Sequence, residues 1–397
     1  MGKWEMVQLA DVLTDTITGE WGNECINGDG VNVIRTTNFT NKGIVDFSNV
    51  IVRDISAEKV KRKKLLPHDI ILEKSGGSDN QPVGRVVYFD NSDDIFLCNN
   101  FTQILRINPQ AAHSKYVFYN LFNLHRTGIT ELLQNKTTGI RNLQVKSYMA
   151  LTIPLPPLPV QQKIADILDC ANALMEKRKA QIEKLDLLVK SQFVEMFGDP
   201  NKFEQLSVED VCKKIMGGGT PNKSKPEYYM GNIPWVTPKD MKTNFIADSI
   251  DHITEEATKN SSAKIIPVNS VLMVIRSGIL KHSLPVAINV APVAINQDMK
   301  AFLVNDKVIA EFLMYTFDAR KAELLSNVRA VTADNIEFGI IRSLKISVPP
   351  IALQTQFATL VERVETQKAQ LKMSLALLEL NYKSLMQKCF KGEIFNE

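Results

Sequence analysis

Two stretches of the chain carry an apolar residue at every seventh position, a spacing typical of coiled-coil helices. Glycine is absent from both stretches until Gly198 and Gly392, as expected for long helices. About 38 residues at about 1.5 Å per residue predict helices about 57 Å long. A helix packed only on its own domain is the alternative. The apolar positions are Leu168, Met175, Ile182, Val189 and Met196 in the first stretch, joined by Leu185, and Phe357, Val364, Leu371, Leu378 and Leu385 in the second.

The two stretches are copies of one another. Moving residues 156–197 along the chain by 193 positions places them on residues 349–390 without a gap, and ten of the 42 pairs are identical. A proline pair begins each copy, and Gln161 in the first copy matches Gln354 in the second. This repeat indicates that the chain consists of two related halves.

The segments that precede the two helices contain the same local sequence features in the same order. Each contains an Asp-Val pair, a glycine-bearing turn, and an apolar run with proline that leads into a strand. A serine-glycine loop follows that strand in both segments, and short β runs dominate the rest. The sequence therefore predicts an α+β fold. Its parts are two β-rich domains, 1–153 and 200–348, that alternate with helical segments 154–199 and 349–397.

Composition narrows the class of protein. The 397 residues are 44% hydrophobic and 23% charged, which is ordinary for globular domains, and the net charge of +3 confines any basic surface to local patches. No run of about 18 apolar residues occurs and the first residues do not form a signal peptide, so we expect a cytoplasmic protein without a membrane partner. The five cysteines are far apart, which argues against a zinc site and a disulfide framework.

Catalytic motifs are missing from the sequence. Residues 217–224 are similar to a phosphate-binding loop but lack the glycine before the lysine. The proline pairs lack the flanking residues of an amino-methyltransferase motif, and no glycine-rich turn of a methyl-donor fold is present. The Asp69, Glu73 and Lys74 group lacks the spacing of a nuclease cluster. We therefore expect no catalytic residue in this chain.

Both β-rich segments place polar and cationic side chains in loops, the residue types that contact phosphates and base edges in DNA. A polar turn without a ligand is the alternative for each of them. Residues 58–64 add a basic run that can attract a DNA backbone, with a solvated helix face as its alternative. The candidate DNA-binding residues are Lys74, Ser75, Gly76, Gln81, Arg85 and Arg141, the last beside Thr138-Gly139, in the first segment, and Thr220, Lys223, Lys239, Arg276, Ser277, Asn296 and Gln297 in the second.

Several of these motifs together resemble the specificity subunit of Type I restriction-modification systems. Residues 153–164, Ile-Pro-Leu-Pro-Pro-Leu-Pro-Val-Gln-Gln-Lys-Ile, look like the start of the first conserved helix of that family, and residues 197–200 look like its end. Residues 217–241 are similar to the opening of many target recognition domains, and residues 73–77, 81–85 and 294–298 look like family loops. In the second copy, Thr355 and Gln356 depart from the helix-start motif.

The resemblance implies a non-catalytic reader of double-stranded DNA. Its two β-rich domains would be target recognition domains, one for each half of a split target. Its two helices would pack as an antiparallel coiled coil, giving a pseudo-twofold internal repeat. Half-sites on one face of DNA lie about 34 to 36 Å apart. Because the loops of the two domains differ, we expect an asymmetric target.

The resemblance also implies partner subunits. Two modification subunits would carry S-adenosylmethionine and methylate adenine after flipping it. Restriction subunits, in systems that have them, would use ATP and Mg²⁺. The chain itself is expected to bind no metal and no cofactor. A coiled-coil protein scaffold without DNA specificity, and a divergent stand-alone methyltransferase or nuclease, are the alternative functions.

Overall fold

The computed structural model describes residues 4–26, 28, 30–78, 80–137, 140–330 and 334–395. The chain forms two compact units, one made of residues 1–177 with 375–397 and the other of residues 178–374. We refer to the β-rich part of the first unit as domain 1 and to that of the second unit as domain 2. One of two long helices follows each domain along the chain.

Domain 1 combines short strands with three helices, α1 (Ala57–Lys63), α2 (Ser114–Arg126) and α3 (Val145–Met149). The long helix α4, Leu158–Phe197, follows it. The strands are β1 Met6–Gln8, β2 Leu13–Thr18, β3 Asn23–Glu24, β4 Val31–Ile34, β5 Ile51–Asp54, β6 Ile70–Glu73, β7 Ser75–Gly77, β8 Val86–Tyr88, β9 Phe96–Cys98, β10 Thr102–Ile107, β11 Gln134–Thr137, β12 Ile140–Leu143 and β13 Thr152–Pro154.

Domain 2 is built in the same way, with helices α5 (Glu255–Lys259), α6 (Ala310–Ala319), α7 (Lys321–Ser326) and α8 (Phe338–Ser343). The second long helix, α9, spans Ile351–Lys391. The strands are β14 Glu204–Ser207, β15 Cys212–Gly217, β16 Ile233–Val236, β17 Phe245–Ile246, β18 His252–Ile253, β19 Ile265–Ile266, β20 Val271–Val274, β21 Val286–Asn289, β22 Val293–Ile295, β23 Met299–Val304, β24 Val328–Ala330, β25 Asp334–Ile336 and β26 Lys345–Val348.

The sheets of the two domains have matching strand orders. In domain 1 the main sheet has the order β2-β10-β6-β8, and in domain 2 it has the order β15-β23-β20-β21, with β17 added at one edge. A second sheet contains one parallel pair in each domain, β4 with β9 and β16 with β22. The predicted α+β architecture, with two β-rich domains that repeat one plan, is confirmed.

The turn before the central strand is the same in both domains. His68 precedes β6 with φ of 75°, and Asn269 precedes β20 with φ of 59°, so both lie in the left-handed region. Histidine and asparagine are among the few residue types enriched there. Each turn follows the proline of the apolar run that the sequence repeats, Pro67 or Pro267.

Each long helix packs on its own domain as well as on the other helix. In the first unit, Leu168 of α4 and Met386 of α9 share a core with Tyr116 of α2. In the second unit, Phe197 of α4 lies 5.7 Å from Phe357 of α9 between ring centroids. The apolar stripes therefore pack on the other long helix as well as on the β-rich domains.

A polar network crosses the helix pair in the second unit. Lys368 of α9, whose side chain is 8% exposed, binds Asp186 of α4 at 2.5 Å and Glu365 at 2.8 Å. Burial lowers the pKa of Lys368, but the hydrogen bonds to both carboxylates outweigh it, so the pKa lies above its usual value. Since Phe197 meets Phe357 while Asp186 meets Lys368, α4 and α9 run antiparallel in this unit.

A buried glutamine fixes the start of each long helix. Gln161 is 1% exposed; its Nε2 donates to the carbonyl of Pro156 at 2.7 Å, and its Oε1 accepts from the backbone N–H of His113 at 2.8 Å. Gln354 is fully buried and repeats this arrangement with Pro349 and Ile309, at 2.8 and 3.0 Å. The amide therefore joins the first helical turn to the backbone before α2 or α6.

Replacing this amide with an apolar side chain should destabilise the protein. In Gln354→Leu, the N–H of Ile309 and the carbonyl of Pro349 would stay buried without partners, at a cost of about 3 kcal/mol for the two groups. We expect a lower midpoint in thermal unfolding followed by circular dichroism. Gln356→Leu, the same change at an exposed position two residues away, is the control and should leave the midpoint near that of the wild type. Equal midpoints for both variants would contradict this role.

Candidate nucleic-acid interface

In domain 1 the candidate residues meet where β6 ends. Strand β7 pairs with β12 so that Gly77 lies opposite Arg141 and Ser75 lies opposite Asn142. The Ser75 hydroxyl donates to Asn142 Oδ1 at 2.5 Å. The structure thus brings Ser75, Gly76 and Arg141 together although they are far apart in sequence. Thr138 and Gly139 lie outside the described residues.

Lys74 occupies a half-buried position beside this group. Its Nζ lies 3.4 Å from the Thr18 hydroxyl. Burial lowers the pKa of the Lys74 ammonium, and the neighbouring charge of Lys63 lowers it further. An anion placed next to this ammonium would favour its charged form, which is the behaviour needed for a contact with a DNA phosphate.

Arg85 is held inside domain 1 by several acceptors. Its Nε and Nη2 donate to the two carboxylate oxygens of Glu73 at 2.7 and 2.9 Å, and Nη2 also donates to the carbonyl of Thr36 at 3.1 Å. With the Gln81 amide oxygen turned toward the guanidinium, that oxygen lies 2.8 and 2.9 Å from Nη1 and Nη2. The guanidinium therefore binds Glu73 and the Thr36 carbonyl and also orients the exposed Gln81 amide.

In domain 2 two of the candidates, Arg276 and Asn296, form hydrogen bonds to Asp298. Arg276 Nε donates to Asp298 Oδ1 at 2.6 Å, and the Arg276 side chain remains 48% exposed. Asn296, only 6% exposed, donates through Nδ2 to Asp298 Oδ2 at 3.1 Å. The hydroxyl of Thr220 donates to Gln297. Arg276 and Asn296 thus meet at Asp298, while Thr220 and Gln297, also among the predicted residues, form a separate pair.

The other domain 2 candidates lie outside these contacts. Ser277 accepts the N–H of Ile279 at 3.4 Å and begins a short helical turn. Lys223 and Lys239 are exposed in separate loops. Within the residues that the structure describes, no hydrogen bond or ion pair connects Lys223 or Lys239 to Arg276.

The same turn joins the strands behind both loop groups. Asn99 donates its N–H to the carbonyl of Ile34 at 2.9 Å, and Asn296 donates its N–H to the carbonyl of Val236 at 3.1 Å. Both asparagines are buried. Asn99 was not among the predicted residues; the signal was an asparagine directly after an apolar strand in both segments, Cys98-Asn99 and Ile295-Asn296.

A glycine packs against the carbonyl of each of these asparagines. A Cβ added to Gly19 would lie 2.0 Å from Asn99 O, and one added to Gly218 would lie 1.9 Å from Asn296 O. These glycines directly follow strands β2 and β15, so their lack of a side chain lets the loop after the strand approach the asparagine turn. The predicted glycine-bearing turns therefore have a packing reason.

The basic run on α1 is partly neutralised. Glu20 binds Lys63 at 2.8 Å and Lys59 at 3.3 Å, and the hydrogen bond from Lys63 lowers the pKa of the Glu20 carboxyl. Three exposed cations, Lys61 and Arg62 on α1 and Lys64 directly after it, have no ion-pair partner among the described residues, and we refer to them as the free cations of α1. Because Glu20 directly follows Gly19, this helix adjoins the asparagine turn of domain 1.

Two properties of the described residues bear on the class of site. They contain no group of three or more His, Cys, Asp and Glu side chains arranged to hold a metal ion. None of the helices that the structure describes has the length and hydropathy of a membrane span.

Comparison with known proteins identifies the class. The family model for the Type I restriction modification DNA specificity domain matches residues 1–184 and again residues 200–379. The chain therefore belongs to the family of Type I restriction-modification specificity subunits.

Individual relatives agree with the family. The EcoR124I/EcoR124II specificity subunit of Escherichia coli is 32% identical over 56% of this chain, and the match spans 57% of that subunit. The putative MjaX specificity subunit of Methanocaldococcus jannaschii is 22% identical over 91% of this chain and 87% of its own length.

Solved structures share the fold. A chain from a study of complex assembly and conformational transition of the type I R-M system matches with a TM-score of 0.61 at 16% identity, covering 99% of this chain and 98% of its own. The S subunit from M. genitalium matches with a TM-score of 0.58 at 15% identity, covering 98% and 96%.

The close approach at Gly218 generates a prediction. In Gly218→Ala, the new methyl group would overlap the carbonyl of Asn296, so the backbone of the loop must shift, at a cost of about 1 to 3 kcal/mol. We expect a lower thermal midpoint and weaker sequence-specific DNA binding. The control is Gly278→Ala in the same domain, where the nearest atom to the new Cβ would be Asp334 Oδ2 at 4.0 Å. A wild-type midpoint for Gly218→Ala would rule out the packing role.

Proposed function

We propose that each domain reads one half of a split, asymmetric DNA target, and that the chain directs adenine methylation and restriction by partner subunits. One observation carries the proposal: the two domains share a backbone framework and differ in the side chains at equivalent loops. At the end of the central strand, domain 1 presents Lys74-Ser75-Gly76 and domain 2 presents Ile275-Arg276-Ser277. Different donors at equivalent places select different bases.

The loop residues divide into two roles. Arg276 keeps an exposed guanidinium while Asp298 fixes its direction, an arrangement suited to paired hydrogen bonds with guanine. Lys74 and the free cations of α1 are suited to contacts with DNA phosphates, because such contacts require a positive charge but no match to the shape of a base. The first role gives sequence choice, and the second gives affinity that salt weakens.

The long helices offer two equivalent places for a partner. Leu187 on α4 is 65% exposed and Leu380 on α9 is 63% exposed, and the two are identical residues related by the internal shift of 193 positions. An exposed leucine at the same position of each helix fits two copies of one partner, here the modification subunits. S-adenosylmethionine, ATP and Mg²⁺ would be bound by the partners, and this chain would bind none of them.

Two alternative functions predict other properties of the chain. A stand-alone methyltransferase or nuclease requires activity from the purified chain alone. A protein scaffold without DNA specificity has no use for two polar loop groups on one framework. The duplicated asparagine turns with different neighbouring side chains favour the DNA reader.

A methylation map tests the proposed function. We expect adenine methylation at an asymmetric split sequence in cells that express this chain with its modification partner, because each domain would supply one half of the sequence. The measurement is base-resolution sequencing of modified adenine. Cells with the partner alone are the control and should lack methylation at that sequence. A palindromic site would contradict the asymmetry, and identical maps would contradict the specificity role.

The free cations of α1 generate a second prediction. The triple variant Lys61→Gln, Arg62→Gln and Lys64→Gln should lower the dependence of DNA affinity on salt, by about 0.9 in the logarithmic slope for each phosphate that the helix no longer neutralises. The measurement is the affinity of the assembled complex for non-specific duplex at several salt concentrations. The matched control is Lys63→Gln with Glu20→Gln, which removes one ion pair and leaves the net charge unchanged. An unchanged slope in the triple variant would show that this helix does not face DNA.

A further inference from the structure

Phe101 and Asp298 occupy the same place in the two domains. In domain 1 the carbonyl of Phe101 accepts the N–H groups of Lys74 and Ser75, at 2.9 and 3.2 Å. In domain 2 the carbonyl of Asp298 accepts the N–H groups of Ile275 and Arg276, at the same two distances. Each residue lies two positions after the buried asparagine of its turn. The backbone that carries them is therefore equivalent.

Their side chains behave differently. The carboxylate of Asp298 binds Arg276 and Asn296. The ring of Phe101 is 45% exposed, and a Cβ added to Gly76 would lie 3.5 Å from Phe101 Cδ2. Gly76 has φ of 94°, a conformation that favours glycine, and its backbone lies close to the ring. The aromatic ring is thus held on an anchored turn and remains about half exposed.

Phe101 lies beside residues of the proposed DNA interface. Its backbone carbonyl bonds Lys74 and Ser75, two of the predicted DNA-binding residues. A phenyl ring has no hydrogen-bond donor or acceptor, so among base edges in the major groove it matches the methyl group of thymine. In domain 2 the equivalent residue instead orients an arginine, the side chain that pairs with guanine.

We propose that Phe101 is a specificity-determining residue that contacts the C5-methyl group of a thymine in the half-site read by domain 1. This inference rests on the proposed function, that domain 1 reads DNA. Stacking on a base or wedging between bases would use the same ring but would not depend on the methyl group. Removing that methyl group therefore separates the proposed contact from these other uses of an aromatic ring.

The test replaces thymine by uracil, which removes the methyl group and keeps base pairing. The assembled complex of this chain with its modification subunits is titrated with target duplexes in which each thymine of the domain 1 half is replaced in turn. For the wild type, one such replacement should weaken binding about fourfold, the effect of leaving one methyl group unburied. Phe101→Ala should bind the thymine and uracil duplexes equally, whereas Phe101→Leu should retain part of the discrimination.

Controls separate the outcomes. Phe47→Ala removes another exposed ring of domain 1, one that packs on Phe96 at 5.2 Å, and should leave the discrimination unchanged. If Phe101→Ala still prefers thymine by the wild-type factor, the inference is overturned while the proposed function stands. If the wild-type complex binds its target no better than random duplex, the proposed function fails first. Equal thermal midpoints for Phe101→Ala and wild type would show that the fold is intact.

Discussion

A single buried amide determines how each long helix begins. Gln161 and Gln354 each satisfy a carbonyl of their own helix start and a backbone N–H of the domain. Because both ends of the amide are buried, sliding or rotating the helix would leave polar groups unpaired. Apolar contacts alone would tolerate such movement. The glutamine therefore determines which face of the helix points toward its domain. The packing of the leucine and phenylalanine residues follows from that orientation.

The helix pair is specified by polar contacts inside an apolar seam. Lys368 is buried between two carboxylates, and a shift along the partner helix would separate its ammonium from Asp186. In the first unit, Asn172 of α4 donates to the Tyr382 hydroxyl of α9 at 3.0 Å, and to Tyr119 of domain 1 at the same distance. Such contacts add little net stability but penalise other registers. Each long helix thus packs both on its domain and on its partner helix.

The sequence predicted the elements better than their contacts. Seven-residue spacing and the internal shift identified both helices, since each signal is local or self-repeating. The role of Arg85 was not predictable, because an arginine in a loop has the same chemistry whether it faces DNA or a carboxylate. Only the pairing of β6 with β8 places Glu73 beside it. Asn99 and Phe101 were missed for a similar reason, since their partners lie in strands remote in sequence. The interface roles of the candidate residues remain predictions.

In the asparagine turn, backbone atoms hold the loop in place and side chains form its exposed surface. The bonds at Phe101 and Asp298 use backbone carbonyls, so they persist whatever side chain occupies the position. The close approach of Gly19 or Gly218 to the turn likewise involves backbone atoms alone. The exposed side chains of the turn can therefore differ between the two domains without disturbing the strands that support the turn. One framework can in this way carry an exposed aromatic ring in one domain and an oriented arginine in the other at little cost to stability, which is what the proposed reading of two different half-sites requires.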